Sequence, residues 1–261
     1  MNLETISSEK FAFTTDLLIF SISNGEKSDV RKLPEKKFSI LLVKRDKEPY
    51  INKWCLPGGF VGINETLNMA ADRVLQKETN LKNIYKEQLY TFDDISRDPR
   101  KRVISATYMA LIDKNKIKDE LSKESKWFDI TLKETAKQID VILKSKTEEV
   151  KFAVKKNIKE TTTKEYEYEI LENENIGFDH PIILVTAILR MRNKAKDTDI
   201  VFNMLPKYFT LGELQQVFEI VLNKKLLDPA FRRIIADRVE KTDKVVKTGG
   251  HRPSNLYKYK Y

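Results

Sequence analysis

One cysteine, Cys55, stands among 261 residues, so no disulfide can form within the chain. The two histidines, His180 and His251, together with one thiol fall short of the four ligands a Cys/His zinc site needs. Long apolar runs are missing too. A stretch such as Ile182 to Leu189 is far below the roughly 20 residues that span a bilayer. Glu4 and Glu9 precede any apolar segment and no cationic leader is present, which argues against a signal peptide and for a soluble, cytoplasmic protein without a membrane partner. No internal repeat and no low-complexity linker interrupts the chain. Cys55, within Trp54-Cys55-Leu56-Pro57, reads as a small buried apolar residue.

Charge, by contrast, is plentiful. Charged residues make up 33% and hydrophobic ones 41%, short of a disordered composition. The net charge of +9 invites a polyanionic partner. Between Pro206 and Tyr261, twelve Lys or Arg face six Asp or Glu, so six of the nine surplus charges lie in the last 56 residues. The length suits one large domain or two modest ones.

Phe11 to Ile22 and Lys37 to Lys44 read as strands. Gly58-Gly59 permits a tight turn into a helix, for which Asn64 is the expected N-cap, with Glu65 in its first turn. Leu67, Ala70, Ala71, Val74 and Leu75 form an apolar stripe at helical spacing, and Asn80 suits a left-handed terminus. Tyr90 to Asp94 and Arg102 to Ile112 read as strands around the basic loop 96–101. Trp127 to Ile130 is expected as a short strand, followed by a helix from Leu132 to Lys144. Val150, Phe152 and Val154, then Tyr166, Tyr168 and Ile170, alternate with period two across a polar turn, as in a β-hairpin packed on the first domain.

The segment from Gly59 to Leu81 has the spacing of a Nudix box, Gly-x5-Glu-x7-Arg-Glu-U-x-Glu-Glu-x-Gly-U, where U is aliphatic. It matches at Gly59, Glu65, Arg73, Leu75, Glu78 and Leu81 and departs at Val74, Lys77 and Asn80. Nudix hydrolysis of a diphosphate uses divalent metal held by oxygen ligands. The box places three glutamates for that purpose on one helical face. Here Val74 and Lys77 replace two of them, and a lysine competes with a cation instead of binding it. The expectation is no catalytic residue and no metal site, with Arg73, Glu65 and Glu78 surviving as structure and Glu78 as a solvated or salt-bridged carboxylate. No cofactor is required, and Mg²⁺ enters only if hydrolase activity remains.

The C-terminal part carries a second pattern. Asp179 is the expected cap of a helix with Pro181 in its first turn, running to about Arg192. Thr210-Leu211-Gly212-Glu213 is a capping box for a helix to about Leu222. Asp228-Pro229 then opens a helix from Ala230 to about Val239. The two helices make a helix-turn-helix candidate, with Arg232 and Arg233 early in the second. Lys244 to Val246 and Asn255 to Tyr257 read as strands around the basic, Gly-rich loop 247–253, as in a winged-helix wing.

Phe178-Asp179-His180, Leu205-Pro206-Lys207-Tyr208-Phe209-Thr210-Leu211, Phe231-Arg232-Arg233 and Gly250-His251-Arg252-Pro253 together resemble the Nudix-related transcriptional regulators, over nearly the whole chain from about residue 10. The resemblance implies an α/β fold: an N-terminal Nudix α/β/α sandwich with a mixed sheet at 1–175, and a C-terminal winged helix-turn-helix domain at 176–261. It implies a homodimer on a double-stranded DNA operator and a small phosphorylated or sugar metabolite, such as ADP-ribose, as effector. Carried over by position, ligand contacts fall on Gly58, Gly59, Glu78, Arg97, Arg100 and Arg102, and DNA contacts on Thr210, Arg232, Arg233, His251 and Arg252. Guanidinium groups suit a diphosphate; a charged surface turn is the competing reading of the arginine loop. The alternative function is a Mg²⁺-dependent Nudix hydrolase of ADP-ribose or a related nucleoside diphosphate.

Overall fold

The computed structural model describes residues 11–25, 34–117, 121–159, 165–247 and 253–260. Its centre is strand β1 (Ala12–Asn24), in which Leu17 to Phe20 are fully buried on both faces. β1 runs parallel to β6 (Val103–Ile112) and antiparallel to β2 (Lys36–Lys44), which makes the sheet mixed. The strand order is β10-β9-β8-β7-β2-β1-β6-β5, with β3 (Trp54–Cys55) on β2 and β4 (Gly58–Phe60) on β1. The outer members are β5 (Tyr85–Phe92), β7 (Ser125–Glu134), β8 (Gln138–Lys144), β9 (Glu149–Lys159) and β10 (Glu165–Asn173).

Each face of the sheet has its own core. Helix α1 (Leu67–Thr79) buries Ala70, Ala71, Val74 and Leu75, three of which pack with Leu17, Ile19 and Leu41 on one face. Its cap is Thr66, whose hydroxyl accepts from Met69 N at 3.2 Å. The helix therefore starts two residues later than the Asn64 cap expected, and Glu65 lies outside it. Asn80 takes the left-handed terminus at φ 54°.

The other face is covered by α2 (His180–Asp197), apolar almost all round because it lies between the sheet and helix α3 (Leu211–Leu222). The expected helix over 132–144 does not form. Leu132 ends its run on β7, and Ile139, Val141 and Leu143 point inward at period two from β8, joined by a turn in which Thr135 N donates to Gln138 O. α2 covers this face instead, so this helix of the sandwich comes from far downstream. The 149–173 hairpin extends the sheet, its turn lying outside the described residues.

Beyond α2, a short 3-10 turn (Ile200–Met204) leads to α3 and then α4 (Asp228–Ile235), whose Phe231 packs edge-on against Phe218 at 5.5 Å. α4 is shorter than expected. Leu227 is its cap, Asp228 is in its first turn, and the chain leaves through a 3-10 turn into β11 (Val239–Val246). β11 pairs with β12 (Ser254–Tyr259) as a separate two-stranded ribbon. Among the described residues no helix is long and apolar enough to cross a membrane.

Candidate functional site

The turn from β3 into β4 brings Gly58 against β1. A Cβ at Gly58 would stand 2.3 Å from Asp16 Oδ1 and 2.9 Å from Thr15 O, so only glycine fits. Asp16 is buried and accepts from Ser105 Oγ at 2.6 Å and Arg97 Nη2 at 3.3 Å. Burial pushes its carboxyl above the usual range, against the pull of Arg97 and Ser105. Arg97 also donates through Nε and Nη2 to both oxygens of Asp179, at 2.9 Å each. Three distant segments thus meet in one buried ion cluster. Arg97, expected at a phosphate, is turned inward and engaged by two carboxylates. Asp179, expected as a side-chain cap of α2, makes no such cap bond.

The neighbouring His180 is buried. Its Nδ1 accepts from Leu56 N at 3.0 Å, which leaves the proton of the neutral ring on Nε2. Burial pushes its pKa down to about 4, with Asp179 opposing and Arg97 and Arg45 adding to the shift. Cys55 is buried as expected and its thiol is pushed up to about 12, which makes it inert.

The surviving box residues are structural. Arg73 pairs with both oxygens of Glu65, at 2.6 and 2.8 Å, and donates to Phe60 O; Gly62 N donates to Glu65 at 2.9 Å. These bonds close the 60–65 loop onto α1 and hold Glu65 down to about 2. Glu78 is buried, accepts from Ser125 Oγ at 2.8 Å and pairs with Lys77 at 3.3 Å. Val74 packs in the α1 core, and a Cβ on Gly59 would meet its methyl at an ordinary 3.6 Å. Among the described residues no three His, Cys, Asp or Glu side chains come together as a metal would need. The donor set here does not fit the divalent metal of a Nudix hydrolase.

Arg100 is held by Asp98, at 3.0 and 2.7 Å, and lies 5.9 Å from the Phe60 ring and 6.0 Å from Phe178. Arg102 bonds Asp93 O. Around them is a cluster that the sequence does not announce: Arg45 is 5.0 Å from the Phe178 ring, Lys101 5.0 Å from Phe60, and Tyr50 packs at a tilt against Phe178 at 4.6 Å. Tyr50 and Phe178 both adopt left-handed backbone, at φ 68° and 57°, an uncommon conformation for bulky residues. Phe178 could have been found from the Phe178-Asp179-His180 motif; nothing local marks Arg45 or Tyr50.

In the C-terminal part, Thr210 is buried in a complete capping box. Its hydroxyl accepts from Glu213 N at 3.1 Å, and Glu213 accepts from Thr210 N at 2.9 Å. It therefore shapes α3 and has no free face for DNA. Arg232 and Arg233 are exposed in the last turn of α4, not early in it, because the helix is short. Beside the ribbon, Lys244 Nζ sits 4.0 Å over the Tyr208 ring and Lys207 5.6 Å from it. His251 and Arg252 lie outside the described residues.

Comparison with known proteins agrees with this two-part layout. The NUDIX domain family matches residues 30–144, and the NrtR DNA-binding winged helix domain matches residues 201–259. The ADPR responsive transcriptional repressor NtrR of Acinetobacter baylyi is 29% identical over 252 residues, covering 94% of this chain and 81% of its own. An ADP-ribose pyrophosphatase of Methanocaldococcus jannaschii is 36% identical over 97 residues, 37% of this chain and 57% of its own. Shewanella oneidensis NrtR complexed with a 27mer DNA has a TM-score of 0.67 at 26% identity, covering 95% of this chain and 93% of that one. A MutT/nudix family protein from Enterococcus faecalis has a TM-score of 0.70 at 25% identity, covering 97% and 87%. The chain therefore joins a NUDIX domain to an NrtR DNA-binding winged helix domain, the composition of the Nudix-related transcriptional regulators.

Proposed function

We propose that this protein is an ADP-ribose-responsive transcriptional repressor whose NUDIX domain binds the metabolite without consuming it. The observation that carries this reading is the loss of metal carboxylates at Val74 and Lys77 in a chain that keeps a winged helix. The Acinetobacter repressor and the DNA-bound Shewanella protein support it. A DNA-binding role places the protein in the cytoplasm, as a homodimer on its operator. The exposed apolar side chains Phe11, Phe13, Ile63 and Met69 support a subunit contact. Arg100, with Gly59 and the Phe60 and Phe178 rings, faces the effector, while Arg97 holds the site's shape. Arg232 and Arg233 contact DNA, with His251 and Arg252 on the wing.

Effector and DNA are coupled through α2. At its start, Asp179 and His180 grip Arg97 and Leu56; near its end, Arg192 Nε donates to Val221 O of α3 at 3.2 Å. A ligand that favours one seating of α2 shifts the winged helix with it. Division at 175 leaves α2 as the connecting element. The hydrolase reading is favoured by the pyrophosphatase relative, which matches 37% of this chain, and the donor set opposes it. Incubation with ADP-ribose and Mg²⁺ tests the choice: ADP-ribose is recovered intact, whereas release of AMP at enzymatic rates would establish a hydrolase.

A further inference from the structure

β2 and β7 are paired only over Ser39–Val43 and Ser125–Asp129. Beyond that register they part. Lys36 to Phe38 stay paired with β1, and Ile130 to Glu134 with β8. Ile188 and Arg192 of α2 and Ile220 and Val221 of α3 close over the gap, leaving a cavity of about 990 Å³. That is at the upper end of small-molecule sites. It lies at the opposite end of β1 from Gly58. Gly58 pairs with Asp16 and Ser23 borders the cavity, roughly 23 Å further along at about 3.3 Å per residue.

The charge lining it is one-sided. Lys36, Lys37, Lys114, Lys144, Lys146 and Arg192 line it with two carboxylates, Glu35 and Asp129, and three more, Glu213, Glu149 and Glu134, reach these cations from outside the lining. Several of the six have partners: Lys36 reaches Glu213 at 3.4 Å, Lys37 reaches Asp129 at 3.3 Å, and Lys144 and Arg192 reach Glu149 and Glu134 at 3.7 and 3.6 Å. Among the described residues Lys114 and Lys146 have no carboxylate within ion-pair distance. Lys114 is half-buried, 5.7 Å from the Trp127 ring, and burial holds its ammonium below the usual lysine range, as burial also does for Arg192. Cations desolvated without full compensation are costly, and a bound anion offsets that cost. One wall is apolar: Phe38, Leu132 and Ile188 are all buried there.

We propose that this cavity is a second small-molecule site, taking an organic phosphate of nucleotide size, with Lys114, Lys144 and Lys146 on the phosphate and the Phe38–Leu132–Ile188 wall beneath the organic part. A phosphate fits better than a single carboxylate because it can answer two ammonium groups at once, those of Lys114 and Lys146, which among the described residues have no carboxylate partner. The site is independent of ADP-ribose binding beside Gly59. It borders α3 through Lys36, which bonds the capping-box residue Glu213.

Calorimetric titration of the intact protein with inorganic pyrophosphate, and separately with AMP, both without metal, tests it. With the NUDIX site saturated by ADP-ribose, saturable binding of one further pyrophosphate per chain is expected. Removal of a charge-assisted hydrogen bond should weaken it about tenfold or more in Lys114→Gln/Lys144→Gln. Lys114→Arg should retain binding, and the binding that remains in Arg100→Ala, which removes the proposed effector contact at the other end of β1, should still depend on Lys114 and Lys144. AMP should also bind saturably, its organic part resting on the apolar wall. Lys146 is exposed, so Lys146→Gln carries the same test if the double variant melts early. Absence of saturable binding, or binding unchanged in the lysine variants but abolished in Arg100→Ala, overturns the proposal.

Discussion

The two ends of this molecule use arginine in opposite ways. Around the NUDIX loop three guanidinium groups are turned onto carboxylates: Arg73 onto Glu65, Arg97 onto Asp16 and Asp179, Arg100 onto Asp98. On α4, Arg232 and Arg233 are exposed, and among the described residues neither has an acidic partner. Paired charges fix geometry, most firmly at the buried Arg97, while unpaired charges on a surface await a partner. A sensor needs a site of fixed shape, and a DNA reader needs free cations, so the contrast matches the two tasks.

The contrast breaks most visibly at Arg97. Arg97→Ala leaves two buried carboxylates facing each other, which should cost about 3–5 kcal/mol. A thermal melt is expected to show a large loss, and an unchanged melt would mean that the ion cluster does not hold α2. Next comes His180. Its folded-state pKa of about 4 lies below the ordinary histidine value, so the unfolded chain takes up the proton first as pH falls. Stability at this position is complete above about pH 6.5 and is lost progressively toward pH 4, by an amount on the order of 3 kcal/mol. Denaturant melts at pH 7 and pH 4.5 read this, and the pH dependence should shrink in His180→Gln.

At the other end, Arg232→Ala with Arg233→Ala should leave the melt unchanged while weakening DNA binding. The expected penalty is roughly 1–3 kcal/mol for an arginine that reads a base. For one that neutralises a phosphate, the salt slope should fall by about one. Equal DNA binding by this variant would place the reading surface elsewhere. The smallest effect belongs to Thr210→Ala, which removes a helix cap worth about 1 kcal/mol. It should lower stability by that much and DNA affinity only in proportion.

The box helix, the capping box and the 149–173 hairpin were legible because each rests on residues close in sequence: a stripe at helical spacing, Thr210 with Glu213, alternation in 150–154. The 132–144 segment misled because Leu132 sits on one strand and Ile139, Val141 and Leu143 on the next. Read as one run they mimic a helix, and only the turn at Thr135 separates them. The ion cluster was out of reach for a different reason. Arg97 lies 82 residues from Asp179 and 81 from Asp16, and no local pattern says which carboxylates the fold will bring to it. The contact of Tyr50 with Phe178 is equally long-range.

Operator affinity measured with and without saturating ADP-ribose, with the nucleotide analysed afterwards, tests the sensing role most directly. Coupling free energies of about 1–3 kcal/mol translate into a change of roughly 5- to 150-fold in DNA affinity, and by linkage DNA shifts ADP-ribose affinity by the same factor. The expected result is that shift, with ADP-ribose recovered unchanged. DNA affinity indifferent to ADP-ribose, or a shift seen only as the nucleotide is cleaved to AMP, would contradict a NUDIX domain that senses without hydrolysing.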